Sequence, residues 1–284
     1  MRFIFLISLI SSYLLALINA PIHTPVTGVD KESEKLTIKT LSNTQVGMYG
    51  VVSHWFDKSH SIALSWVEIK KIDGDITTLK LTPILALEQS ALPNGTWEPK
   101  IGDDVVIGYN YQRALLIAPT PSIYRKITSY HRDRTWIHPD VFASHLSYNG
   151  HPSPLKEDFT SMCRQNNIGT IAFMFDKSII TVDCQTFKIL KNKSTSVQSK
   201  ESQVPFYSRV PNIEANWFGD GSNEIEDYDR YYINLLVEYN PKNEWIKKYK
   251  HNREAALGSD ESNWFSSLFD GLNVSIGFDD HEDD

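Results

Sequence analysis

The sequence predicts an α+β fold: an N-terminal β-barrel-like or sandwich lobe, a smaller helix-plus-hairpin lobe, and an extended C-terminal segment. Three observations predict it. Between residues 35 and 119, short β-branched and aromatic runs alternate with turn residues and show little helical spacing. From residue 120 the apolar spacing turns helical, and prolines stand where helices start. From residue 191 a stretch dense in Lys, Ser and Gln breaks both patterns.

The elements follow in order. Residues 1–20 have one charge, Arg2, an almost wholly apolar run from Phe3 to Ile18, and a small residue at Ala20. That three-part pattern predicts a secretion signal. Pro21 after Ala20, and bulky Ile18, disfavour clean cleavage, so a retained signal anchor attached to a membrane is the alternative. Residues 21–34, with Pro21, Pro25 and Gly28, read as a mobile lead-in. The β-rich lobe, 35–119, opens with the alternating run Leu36 to Leu41 and the run Val46 to Phe56, where Gly47 and Gly50 mark bulges or close approaches. Ser61 to Ile72 and Ile76 to Ile84 flank Asp73-Gly74, a hairpin turn that needs positive φ. Asn94-Gly95 is a second turn signal; Val105 to Tyr111 follows, and Arg113 to Ala118 is expected to pair back.

The α/β lobe, 120–190, carries predicted helices over Ser122 to His131, Asp140 to Tyr148, and Pro154 to about Gln165. Two strands, Thr170 to Phe175 and Ser178 to Asp183, form the hairpin. Residues 191–212 read as a polar linker. Residues 213–258 hold two further helices, Ile225 to Tyr239 and Lys242 to Leu257. The stretch 259–284 contains eight acids and no Lys or Arg, and reads as a solvated acidic tail.

Composition narrows function. The 284 residues carry a formal net charge of -7, which disfavours nucleic-acid binding because that affinity comes from neutralising phosphates. Charged residues at 22% and aromatic residues at 12% suit a packed core. The two cysteines, Cys163 and Cys184, predict a disulfide in an exported chain; two buried thiols are the alternative. His131, His138 and His145 recur every seven residues, but Pro139 breaks any shared helix, so no metal site is expected. Asp103 and Asp104 read as a turn before a strand. There is no His-Glu-x-x-His, no Gly-x-Ser-x-Gly and no phosphate-cradling loop. No cofactor and no catalytic residue is predicted. Asn94, Asn192 and Asn273 match the weak N-glycosylation pattern.

From about Thr27 to Asn212 the chain resembles the plasminogen-binding protein N-terminal domain family of bacterial cell-surface proteins. The carriers are Gln45-Val-Gly-Met-Tyr-Gly-Val-Val, Lys100-Ile-Gly-Asp-Asp-Val-Val, Ala114-Leu-Leu-Ile-Ala-Pro and Ser122-Ile-Tyr-Arg-Lys-Ile. Cys163, Ile171-Ala-Phe-Met-Phe, Asp183-Cys184-Gln-Thr-Phe-Lys-Ile-Leu and Pro205-Phe-Tyr-Ser-Arg-Val complete the order. The resemblance implies an exported, non-enzymatic surface protein of the cell envelope that binds host plasminogen through its kringle domains. It also implies a lysine-rich C-terminal extension, whereas this sequence closes on Asp284.

A kringle holds a lysine side chain together with a free carboxylate, so an internal mimic needs a cation and an acid on one helix face. Lys250 and Glu254, four apart, supply them; Lys247, Lys248 and Arg253 add positive charge, and Trp245 and Tyr249 are neighbours that could brace the contact. An ordinary solvated helix with one ion pair is the bland alternative. Two other functions stay open: a structural or interaction protein of the envelope, and an uncharacterised periplasmic enzyme. A polar cleft of convergent titratable groups would favour the enzyme.

Overall fold

The computed structural model describes residues 20–84, 97–197, 201–211, 213–215 and 219–255. Residues 1–19 of the predicted signal, the Asn94-Gly95 turn, Asn273 and the predicted acidic tail lie outside these residues. So do Trp217, Phe218, Trp264 and Phe265. The chain divides into a unit ending at Asp229 and a second beginning at Arg230. The architecture is α+β with a β lobe first, as the residue pattern predicts.

Six strands close an antiparallel barrel in the first unit. They are β1 (Ile22–Asp30), β2 (Lys35–Lys39), β3 (Tyr49–Trp55), β4 (Ser61–Asp73), β5 (Ile76–Thr82) and β6 (Asp104–Ile107), in the order β1-β2-β5-β4-β3-β6. Inward positions alternate along each strand: Val26, Leu36 and Ile38, Val67 and Ile69, Leu79, Val105 and Ile107 form one core cluster. Asp73-Gly74 turns the β4–β5 hairpin, with Gly74 at φ 55°. At Gly50 a Cβ would overlap the carbonyl oxygen of Val106, so only glycine lets β3 and β6 approach there.

The lead-in reading of residues 21–34 is corrected, because β1 fills most of it and closes the barrel against β6. Pro25 removes a single ladder donor, and the register shift between Val26 and Gly28 absorbs the irregularity as a bulge.

The second sheet is larger than a hairpin. Its order is β11-β10-β9-β7-β8, from β7 (Arg113–Ile117), β8 (Thr135–Ile137), β9 (Thr170–Phe175), β10 (Ser178–Asp183) and β11 (Ile189–Ser194). The expectation that Arg113 to Ala118 pairs back in the β lobe is overturned: β7 runs parallel to both β8 and β9. Ala114, Leu115, Leu116 and Ile117 are all buried, as in a parallel strand covered on both faces. The linker expected from residue 191 starts later, since β11 carries the chain to Ser194 against β10.

Three helices cover this sheet. α1 (Pro121–Tyr130) starts at Thr120, whose side chain accepts a hydrogen bond from the Ile123 N–H. It packs Ile123, Tyr124 and Ile127 with Leu116, Ala172 and Met174. α2 (Pro139–Asn149) has Pro139 in its first turn and ends at Gly150, φ 68°. α3 (Lys156–Asn166) follows, with Asp158 accepting from the Leu155 N–H at 2.9 Å. The rings of Phe142 on α2 and Phe159 on α3 lie 4.5 Å apart, and Phe159 meets Phe173 of β9 at 5.6 Å. Ala172 and Met174 therefore face one way and Phe173 the other, as strand alternation requires.

α4 (Tyr228–Tyr239) begins at the end of the first unit, where the buried Tyr228 hydroxyl donates to the Ile117 carbonyl at 2.9 Å. Residues 244–255 are helical in the second unit. Among the described residues no helix is long and apolar enough to cross a membrane.

Candidate functional site

The predicted contact residues share the helix of residues 244–255. Lys250 Nζ lies 3.7 Å from Glu254 Oε1, with the two side chains 35% and 57% exposed. Lys247 Nζ donates to Glu244 Oε1 at 3.0 Å. Lys248 is exposed and Arg253 is half-buried. Both ion pairs are open to solvent, where such pairs contribute about 0.3–0.5 kcal/mol. Either pair opens at small cost, which frees its cation and its acid for a partner. The rings of Trp245 and Tyr249 stack at 5.2 Å. At 3.6 residues per turn that pair sits roughly 140° around the helix from Lys250 and Glu254. The idea that it braces the same contact is therefore set aside.

The two cysteines form a disulfide, Cys163–Cys184, with Cα atoms 6.0 Å apart. It ties the last turn of α3 to the residue after β10. The residues that follow each cysteine are thereby held together: Arg164 Nε donates to Gln185 Oε1 at 3.0 Å.

Beside this bond is a feature that sequence reasoning missed. A cavity of about 320 Å³ opens between the barrel and the second sheet, walled by Tyr49, Trp66, Tyr109, Ile84 and Ile168, with Arg164 and Gln185 among its lining. Tyr49 and Trp66 stack at 5.4 Å, and Trp66 meets Tyr109 at 5.9 Å. No sequence motif marks it, because its walls come from positions more than a hundred residues apart.

Asp183 lies under the cavity and is fully buried. One carboxylate oxygen accepts from the Tyr111 hydroxyl at 2.6 Å and the Tyr49 N–H at 3.0 Å. The other accepts from the Gln185 and Thr186 N–H groups, both at 2.9 Å. Burial pushes its pKa up to about 6, and the four donors pull the other way. With both oxygens engaged, this carboxylate is built to join barrel and sheet rather than to take a proton from a substrate. The remaining walls are mostly apolar.

The other singled-out residues have local roles. His138 caps α2, accepting from the Asp140 N–H at 3.2 Å. His145 Nε2 lies 3.2 Å from the Asn149 side-chain amide. Asp103 accepts from the Lys100 N–H at 2.7 Å, a turn contact, and lies 2.6 Å from His54 Nδ1.

Comparison with known proteins gives the family. Residues 21–236 match the family model described as plasminogen-binding protein pgbA N-terminal. The chain is 29% identical over 197 residues to the plasminogen-binding protein PgbA of Helicobacter pylori strain J99, covering 68% of this chain and 42% of that protein. The corresponding protein of strain 26695 is 28% identical over the same length and coverage. The chain thus spans less than half the length of these curated relatives. No solved structure matches it. The matched residues include the barrel, the second sheet and the disulfide, and end before Lys247. On this match across most of its length, the chain belongs to the plasminogen-binding protein PgbA N-terminal family.

Proposed function

We propose that the chain is an exported cell-envelope or surface protein that binds plasminogen without catalysis, through lysine-like side chains on the helix of residues 244–255. The observation that carries the reading is the match of residues 21–236 to a plasminogen-binding family. The disulfide is consistent with export, since such bonds persist in oxidising compartments. The proposed contact is Lys250 with Glu254, flanked by Lys247, Lys248 and Arg253. A cation on an apolar stem beside an acid reproduces the zwitterion that a kringle domain takes, and the exposed ion pair opens at little cost.

One observation favours a second reading, an envelope protein with a structural or interaction role and no plasminogen binding. The proposed contact lies beyond the matched residues, so the family resemblance does not extend to it.

The test titrates the purified chain against immobilised plasminogen with and without 6-aminohexanoate, a free lysine analogue. Saturable binding that the analogue abolishes is expected, with at least a tenfold loss in the Lys250→Ala, Glu254→Ala double variant. Binding that ignores the analogue overturns the lysine-like mechanism. Unchanged binding by the double variant removes Lys250 and Glu254 from the contact. No binding by the wild type leaves the structural reading.

A further inference from the structure

The cavity between barrel and second sheet is formed wholly within the first unit, and its volume of about 320 Å³ falls in the range of small-ligand sites. Its body is aromatic and apolar: Tyr49, Trp66 and Tyr109 form one wall, Ile84 and Ile168 add to it. Polar groups are few and specifically placed. Arg164 is exposed at the edge, and its Nε is committed to Gln185. That bond fixes the guanidinium plane and leaves the Nη donors without a hydrogen bond among the described residues. The disulfide one residue away on each side holds both partners in place.

The Tyr49 hydroxyl supplies a second donor. It has no hydrogen-bond partner among the described residues. Burial raises its pKa, so the phenol stays protonated, and Arg164 lines the same cavity. The buried acid beneath, Asp183, has both oxygens occupied and offers no site for a ligand cation.

We propose that this cavity binds a small aromatic or apolar monocarboxylate. Its ring lies against Trp66 and Tyr109, and its carboxylate accepts from Arg164 Nη and the Tyr49 hydroxyl. A planar guanidinium with free parallel donors matches a carboxylate, and repels a ligand amine. Aromatic walls reward a ring more than a flexible polar chain. This inference is independent of plasminogen binding: the site lies within the matched residues, and plasminogen is not needed to test it.

The experiment measures binding of 3-phenylpropionate to the full chain by titration calorimetry, beside its neutral amide and 3-phenylpropylamine. The acid is expected to saturate the protein at one site, at least tenfold tighter than the amide, with the amine weaker still. Arg164→Gln, a surface change expected to leave the fold intact, should bring the acid down to the level of the amide. Trp66→Leu should weaken acid and amide alike. An acid that binds no tighter than the amide, an affinity unmoved by Arg164→Gln, or no saturable binding of the acid at millimolar concentration overturns the proposal. Should Trp66→Leu fail to fold, the acid–amide comparison on Arg164→Gln decides alone.

Discussion

Asp183 shows how much a single side chain can organise. A carboxylate completely shielded from water is costly unless hydrogen-bonded, and this one takes four donors from β3, the end of β7's lead-in at Tyr111, and its own following turn. Its pKa still rises from 3.8 to about 6 because desolvation outweighs the donors. The sign follows from proton uptake. Between about pH 4 and 6 the native state holds a proton that the unfolded chain has lost, so Asp183 adds stability as pH falls through 6. That contribution is complete below the unfolded value and absent well above 6. Chemical denaturation of wild type and Asp183→Asn from pH 4 to 8 should show the stability difference moving in favour of wild type on acidification. A difference independent of pH would contradict the raised pKa. Nothing in the sequence marks Asp183 beyond its place next to Cys184; burial among donors from distant segments makes it unusual.

At the scale of elements, the helix starts were legible because they are local. Thr120-Pro121 and His138-Pro139 place a cap acceptor and a proline at helix beginnings, and the observed helices begin there. The Asp73-Gly74 hairpin is legible for the same reason. Strand partners are a different matter. The run Ala114-Leu-Leu-Ile looks the same whether it pairs with a barrel strand or with β9. Its unbroken apolarity did carry a hint of a strand buried on both faces, as did Thr170 to Phe175. Residues 21–34 misled because proline and glycine signal loops, while the bulge between Val26 and Gly28 accommodates both within β1, which is paired on both sides. The Cys163–Cys184 bond joins α3 to the second sheet across 21 residues. Its loss in the Cys163→Ala, Cys184→Ala variant should lower stability by roughly 3 kcal/mol, measured as the shift in unfolding free energy in urea.

For the molecule, the barrel and the second sheet of the first unit are joined by polar ties as well as by packing. The Gln45 amide donates to the Leu190 carbonyl at 2.8 Å, and the Thr186 hydroxyl donates to the Gly47 carbonyl at 2.6 Å. Tyr49 and Tyr111 converge on Asp183. Leu190 of β11 even belongs to the barrel's core cluster. The two sheets are therefore expected to unfold together. Tryptophan fluorescence and far-ultraviolet circular dichroism should give coincident urea transitions for this unit, and separated midpoints would show independent lobes.

The sequence by itself determined the α+β class, the order of β-rich and helical segments, the approximate places of the helices, the cysteine pair and the family. These rest on patterns that repeat within a few residues, or on identities kept in order along the chain. Only the tertiary structure decided that β1 closes the barrel and that β7 leaves it for a parallel position. It alone brought Tyr49, Trp66, Arg164 and Asp183 around one cavity. The reason is physical: hydrophobic burial rewards removal of apolar surface without naming a partner. Which strand lies beside which, and which polar groups meet in the gap, is settled when all segments compete for the same interior.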